Sequence, residues 1–146
     1  MNMTPQAYQA YVKARQPRSP LFKNMVLAFV IGGGICVIAQ LISNAFSAWG
    51  LNVEDSATAT SVSMVFLSAL FTALGLYHKL ARYAGAGTLV PITGFANAVV
   101  SPAIDFRAEG IVTGTAVKLF TVAGPVIVFG TAASAIYGII LYLAQQ

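Results

Sequence analysis

Carboxylates are scarce in this chain: four among 146 residues, against eight Lys and Arg, one His and one Cys. A single cysteine excludes an intramolecular disulfide and any cysteine-rich metal site. The lone histidine, His78, lies on a different segment from Cys36 and has no acidic neighbour in sequence. No convergent set for acid–base, nucleophilic or metal chemistry can be assembled from such a poor stock. The sequence therefore reads as non-enzymatic, with no metal and no cofactor. His78 is expected to be an interfacial residue, and Cys36 a small packing residue inside a span. Internal repeats, low-complexity tracts and a soluble second domain are also missing. The net charge of +4 does not point to nucleic acid, because four of the basic residues precede the first apolar stretch, where they orient a membrane chain. The apolar run beginning near Leu21 is too long for a signal h-region and shows no convincing small-residue cleavage site before Trp49, so the first span is expected to stay in the mature protein.

What the chain has is apolar sequence. Hydrophobic residues make up 58% and charged residues 8%, with mean hydropathy +0.78, whereas about a quarter of residues are charged in soluble domains. The fold class is an all-α integral membrane protein. Thr4-Pro5 followed by QAYQAYVKAR predicts a capped amphipathic helix with Tyr8, Tyr11 and Val12 on one side, suited to a membrane surface or a partner. Gln16-Pro17-Arg18-Ser19-Pro20 ends it. Lys13, Arg15, Arg18 and Lys23 place the amino end in the cytoplasm. No charge occurs between Lys23 and Glu54, and roughly 20 apolar residues cross the hydrocarbon core, so Met25 to about Phe46 is a first span. Gly32-Gly33-Gly34 permits close helix approach, and Gly33, Cys36, Gln40, Asn44 and Ser47 share one helical face that should point into protein. Gln40 and Asn44 on that face bond a neighbouring helix or line a water path. Glu54 and Asp55 mark a short turn, with Asp55 or Ser56 as the cap of a second span. Ser61, Ser68, Thr72 and Gly75 form that span's weakly polar stripe. His78, Lys79 and Arg82 return the chain to a positive, cytoplasmic side.

The stretch from Tyr83 to Thr115 is where the apolar pattern interrupts itself. Pro91 and Pro102 remove backbone donors, while Gly85, Gly87 and Gly94 loosen the chain. Lipid cannot solvate freed backbone groups, so the sequence predicts a discontinuous helix pair lining protein or a watery cavity. The first half-helix is expected from about Pro91 to Ser101, with Pro91 as its first residue and Thr88 and Thr93 near its start. Its polar side continues through Asn97 and Ser101. The second is expected from about Phe106 to Val122, broken at Gly124-Pro125, and contains Gly110 and Gly114 at packing spacing. Asp105, Arg107, Glu109 and Lys118 form a local charge group in which Asp105 or Glu109 holds Lys118 and Arg107 satisfies the other carboxylate. Val126 to Leu143 is the final span, with Gly130, Ser134 and Gly138 on a small-residue face. In order, the chain is a cytoplasmic amino-terminal amphipathic segment (1–20) and one membrane channel or transport domain (21–146). That domain comprises two ordinary transmembrane helices, the discontinuous helix pair and a final transmembrane helix. The polar residues Gln40, Asn44, Pro91, Thr93, Asn97, Ser101, Asp105, Arg107, Glu109 and Lys118 are the candidate solute path. The amino end of the half-helix at Pro91 is the expected partner of an anion.

Two segments, GGGICVIAQ from Gly32 to Gln40 and GAGTLVPITGFANAVVSPAIDFRAEGIVTG from Gly85 to Gly114, carry a resemblance over nearly the whole chain to the SpoVAC/SpoVAE family of stage V sporulation membrane proteins. The basic stretch from Tyr11 to Lys23 resembles the AC branch more than the shorter AE branch. The resemblance implies a multi-pass subunit of a channel in the spore inner (forespore) membrane. That channel would move dipicolinate, with calcium, into the developing spore and out during germination, through a tension-sensitive pore. It also implies a SpoVAE-type membrane subunit and a soluble, thiolase-like SpoVAD-type subunit as partners, alongside membrane lipid. It supplies no catalytic residue. The competing reading is a membrane scaffold that assembles through its glycine-rich faces without conducting.

Overall fold

The computed structural model of the chain describes residues 4–15 and 19–145, all-helical apart from turns. The break expected at Gln16-Pro17-Arg18 lies outside these residues. Helix α1 spans Pro5–Arg15, α2 Leu21–Ala48 and α3 Val53–Ala73. Short helices α4 (Tyr77–Ala84) and α5 (Ala86–Leu89) precede α6 (Ile92–Asp105). A 3-10 turn at Arg107–Glu109 and a π-helical segment at Ile111–Ala116 lead into α7, Val117–Ala144. Three stretches are long and apolar enough to cross a membrane: Leu21–Ala48, Val53–Ala73 and Ile111–Ala144. At about 1.5 Å rise per residue, each exceeds the roughly 30 Å hydrocarbon thickness.

Helices α2 and α3 form an antiparallel pair tied near the acidic turn. Asn52, not Asp55 or Ser56, is the amino-terminal cap of α3; its side-chain oxygen accepts from the Asp55 N–H at 2.8 Å. Ser56 is thereby released to bury itself between the helices, donating to the Ser43 carbonyl at 2.8 Å with the Ser47 hydroxyl 3.1 Å away. The predicted inward face of α2 is off by about one residue. The partly covered positions are Leu27, Ala28, Ile31, Gly32, Ile35, Ala39, Ile42, Ser43 and Phe46, whereas Gly33, Cys36, Gln40 and Asn44 are exposed, and of the predicted face Ser47 reaches the Ser56 hydroxyl of α3. Gln40 donates to Asn44 at 2.9 Å along its own helix, which meets each amide's nearest demand without a second helix.

Helix α6 runs parallel to α3, because Ser68 meets Thr93 and Thr72 meets Asn97 in the same order along both. The chain between them therefore turns inward and comes back toward the end it left, rather than crossing. Two glycines set how tightly it turns. Gly87 lies against α2, where an added Cβ would collide with the Ala28 carbonyl; a Cβ on Gly32 would sit 3.0 Å from the Gly87 oxygen. The expected approach at Gly32 is thus real, while Gly33 and Gly34 have nothing within 4 Å.

The half-helix differs from expectation at both ends. Pro91 is its cap (φ −64°, ψ 160°) and the helix starts at Ile92, then passes through Pro102 to Asp105. No separate second half-helix ends at Gly124-Pro125. From Ile111 the chain is helical to Ala144, so the expected Phe106–Val122 piece and the Val126–Leu143 span are one element. Gly124 accounts for this: proline disfavours helix in the preceding residue partly through that residue's Cβ, which glycine lacks. Only one hydrogen bond is then lost, which membrane helices tolerate. Helix α7 returns antiparallel to α6. Gly114 is buried with its missing Cβ directed at the Phe106 carbonyl, and the Thr115 hydroxyl is 3.5 Å from the Ala103 carbonyl. Gly110 serves differently, adopting φ +103° to turn the chain. An added Cβ at Gly130 or Gly138 would meet nothing within 4 Å among the described residues, and Ser134 is exposed.

Candidate functional site

A proline and three glycines within ten residues leave backbone carbonyls without the donors a continuous helix would supply, and the surrounding hydroxyls take their place. The Tyr77 hydroxyl donates to the Thr88 carbonyl at 2.7 Å and lies 3.1 Å from the Thr93 hydroxyl. Thr88 donates to the Gly85 carbonyl at 3.0 Å, and Ser68 to the Thr93 carbonyl at 2.6 Å. Tyr77, Thr88, Thr93 and Ser68 are each at most 5% exposed. Among the described residues no buried side-chain nitrogen or oxygen lacks a partner. This is the internal satisfaction that non-helical backbone needs at membrane depth. Gly94 completes the turn, since a Cβ there would strike the Thr88 and Leu89 carbonyl oxygens. Those oxygens also crowd the side of the first turn of α6.

From this closed end a polar seam continues between α3 and α6. Thr93, Asn97, Ser101 and Asp105 are four residues apart and share one helical face. The Thr72 hydroxyl donates to the Ser68 carbonyl at 2.7 Å and is 3.0 Å from the Asn97 carboxamide oxygen. Beyond it the seam widens into a cavity of about 220 Å³ lined by Thr72, His78, Asn97, Ser101, Ile104 and Asp105. His78, expected to be merely interfacial, shares this lining with Asp105, which is 27 residues away in sequence. The cavity offers hydroxyl, carboxamide, imidazole and carboxylate groups to a hydrated polar solute.

The structure thus brings Thr93, Asn97, Ser101 and Asp105 together, with Pro91 capping the helix that carries them. Arg107 and Glu109 are exposed on the following turn. Lys118 is not held by a carboxylate: its ammonium lies 3.8 Å from the centroid of the Phe106 ring. A cation–π contact of about 0.5–2 kcal/mol offsets part of the roughly 2.5–3.5 kcal/mol that a central lysine costs on insertion scales. Phe106 adjoins Asp105, which keeps Lys118 near the mouth of the cavity. Gln40 and Asn44 lie apart, exposed on α2. Sequence reasoning missed Tyr77 altogether; the available signal was a tyrosine two residues after Gly75, whose φ of +68° folds α4 back onto the turn.

Residues 24–140 match the SpoVAC/SpoVAEB sporulation membrane protein family. The chain is 39% identical over 140 residues to "Stage V sporulation protein AC" of Bacillus subtilis (strain 168), covering 95% of this chain and 93% of that protein. No solved structure matches it.

Proposed function

The chain belongs to the SpoVAC/SpoVAEB sporulation membrane protein family, and from that premise we propose that it is a membrane subunit of a spore channel for dipicolinate, acting in uptake during sporulation and release during germination. The observation that carries this reading is the seam of hydroxyl and amide groups between α3 and α6, ending in the cavity at His78 and Asp105. A purely structural membrane bundle has no need of a polar cavity beside a broken helix, whereas a solute path does. Thr93, Asn97, Ser101 and Asp105 line the path. Lys118 and Arg107 supply positive charge at its mouth beside Glu109, and Gln40 and Asn44 face a neighbouring subunit. The partners are a SpoVAE-type membrane subunit and a soluble SpoVAD-type subunit in the spore inner membrane. Residues 21–146 act as one domain, with no catalytic role. The family's tension-sensitive behaviour belongs to the same proposal. The scaffold reading draws on a different feature, the small residues Gly130, Ser134 and Gly138, which are open among the described residues.

Flux of radiolabelled dipicolinate in liposomes containing equal amounts of assembled complex separates the two. Lys118→Met is expected to lower dipicolinate flux about tenfold, equivalent to about 1.4 kcal/mol of lost stabilisation, while sparing a neutral solute; Lys118→Arg retains part of the flux. Asn97→Leu and Thr93→Val cause smaller losses. Dipicolinate flux no greater than in protein-free liposomes sinks the channel reading and leaves the scaffold, while unchanged flux in Lys118→Met returns Lys118 to a folding or gating role.

The orientation follows from the basic flanks and the parallel course of α3 and α6. In a Cys36→Ala background, single cysteines at Lys79 and Glu109 should react with an impermeant reagent from the cytoplasmic side, and one at Glu54 from the other. Labelling of positions 54 and 109 from one side would mean that α6 crosses the membrane, contrary to the re-entrant course.

A further inference from the structure

On the other side of the turn, away from the polar seam, α2, α3 and α4 enclose a second cavity of about 270 Å³. Its walls are apolar, with Ile35 and Ile38 from α2, Met64 and Leu67 from α3, Leu76 just before α4 and Leu80 within it. Ser68, Tyr77 and Thr93 also reach it, but Ser68 donates to the Thr93 carbonyl and Tyr77 to the Thr88 carbonyl. Nothing in the cavity calls for a polar occupant. Water needs two to four polar partners, and apolar cavities of this kind stay dry. A helix, with a diameter of about 10 Å or more, is too thick to enter, whereas a single hydrocarbon chain is thin enough. The cavity is half open, and the helices bordering it are expected to stand in lipid. Lys79 is exposed on α4, three residues from Leu76 and so on an adjoining strip of helix surface. Arg82 faces away, lining a separate hollow with Asn24 and Met25.

We propose that this cavity is a lipid site, holding one acyl chain of an anionic phospholipid whose phosphate is met by Lys79. The chain fills space that would otherwise leave Met64, Leu67 and Leu80 without contacts on one side. It packs directly against Tyr77 and Thr93, the two residues that hold the re-entrant turn. Lipid identity and the geometry of the polar seam are thereby joined through shared side chains.

The test uses the full-length protein in vesicles of phosphatidylcholine and phosphatidylglycerol, the latter carrying a photoactivatable diazirine on its acyl chain. Labelled residues are located by mass spectrometry. Labelling at Met64 and Leu67 should exceed that at Phe129, an exposed residue of α7 that reports ordinary lipid contact. Leu67→Trp or Ile38→Phe, each filling the cavity, should abolish the excess while leaving Phe129 labelled; two variants guard against one failing to fold. Lys79→Gln should reduce the excess and Arg82→Gln should not. Labelling no stronger at Met64 than at Phe129, or an excess that persists in both filled variants, overturns the site. Equal responses to Lys79→Gln and Arg82→Gln overturn the phosphate contact. Photocrosslinks from position 67 to another protein, in place of lipid, would show that a subunit covers the cavity and would likewise overturn it.

Discussion

Gly94→Ala is expected to prevent stable folding, and Gly130→Ala to leave the protein at its wild-type thermal midpoint. The same single methyl group is added in both. At Gly94 it would meet the carbonyl oxygens of Thr88 and Leu89, and at Gly130 nothing lies within 4 Å. Carbonyl oxygens of a tight turn cannot rotate aside as a flexible side chain can. Relief requires α6 to shift against α3, breaking the contacts of Ser68 with Thr93 and of Thr72 with Asn97. Overpacking usually costs about 1–3 kcal/mol; a clash with backbone on this scale belongs at about 3 kcal/mol or beyond. Gly87→Ala, aimed at the Ala28 carbonyl, should behave like Gly94→Ala. Thermal unfolding of the detergent-solubilised protein compares all three. A wild-type midpoint for Gly94→Ala would show that the turn is looser than described.

Tyr77→Phe should destabilise by about 1–3 kcal/mol, the range for stranding a buried hydrogen-bonding group. The substitution keeps the ring and its packing but withdraws the donor from the Thr88 carbonyl and the neighbour from the Thr93 hydroxyl. Tyr77 is 5% exposed, so water has little access to replace it. Combined with Ser68→Ala, the effects should depart from additivity, because both hydroxyls hold the same turn. Amide hydrogen exchange between residues 86 and 94 gives the local readout. Unaltered exchange and an unaltered midpoint in Tyr77→Phe would remove Tyr77 from the support of the turn.

Charge spacing made the first two spans legible, since uncharged runs between Lys23 and Glu54 and between Asp55 and His78 bound them without reference to packing. The irregular stretch was legible for a related reason. Proline and glycine announce a break wherever they fall, and the chemistry of lipid says what must surround it. Where the break would be repaired was not legible. The donor at Tyr77 lies 14 residues before Pro91 and reaches the turn only because Gly75 reverses the chain. Likewise, the placing of His78 and Asp105 on one cavity follows from α6 running parallel to α3, a tertiary outcome that no local pattern encodes. Gly124-Pro125 misled in the opposite sense: the punctuation is genuine, but glycine before proline softens it. On α2 the polar stripe was off by about one residue, because Gln40 and Asn44 satisfy each other while Ala28, Gly32 and Ser43 make helix contacts, and only Ser47 of the stripe reaches α3.

The hydroxyl-to-carbonyl bonds along the seam set different energetic thresholds for dry and wet opening. Two contacts close its inner part: Ser68 to Thr93 and Thr72 to Asn97. In an apolar medium each such bond is worth about 4–6 kcal/mol, so parting both without replacement would cost on the order of 8–12 kcal/mol, a vanishing population. With water entering to replace them, the net cost falls to about 1 kcal/mol each, or about 2 kcal/mol together. That corresponds to roughly one molecule in thirty. Solvent admission and separation of α3 from α6 are therefore a single event.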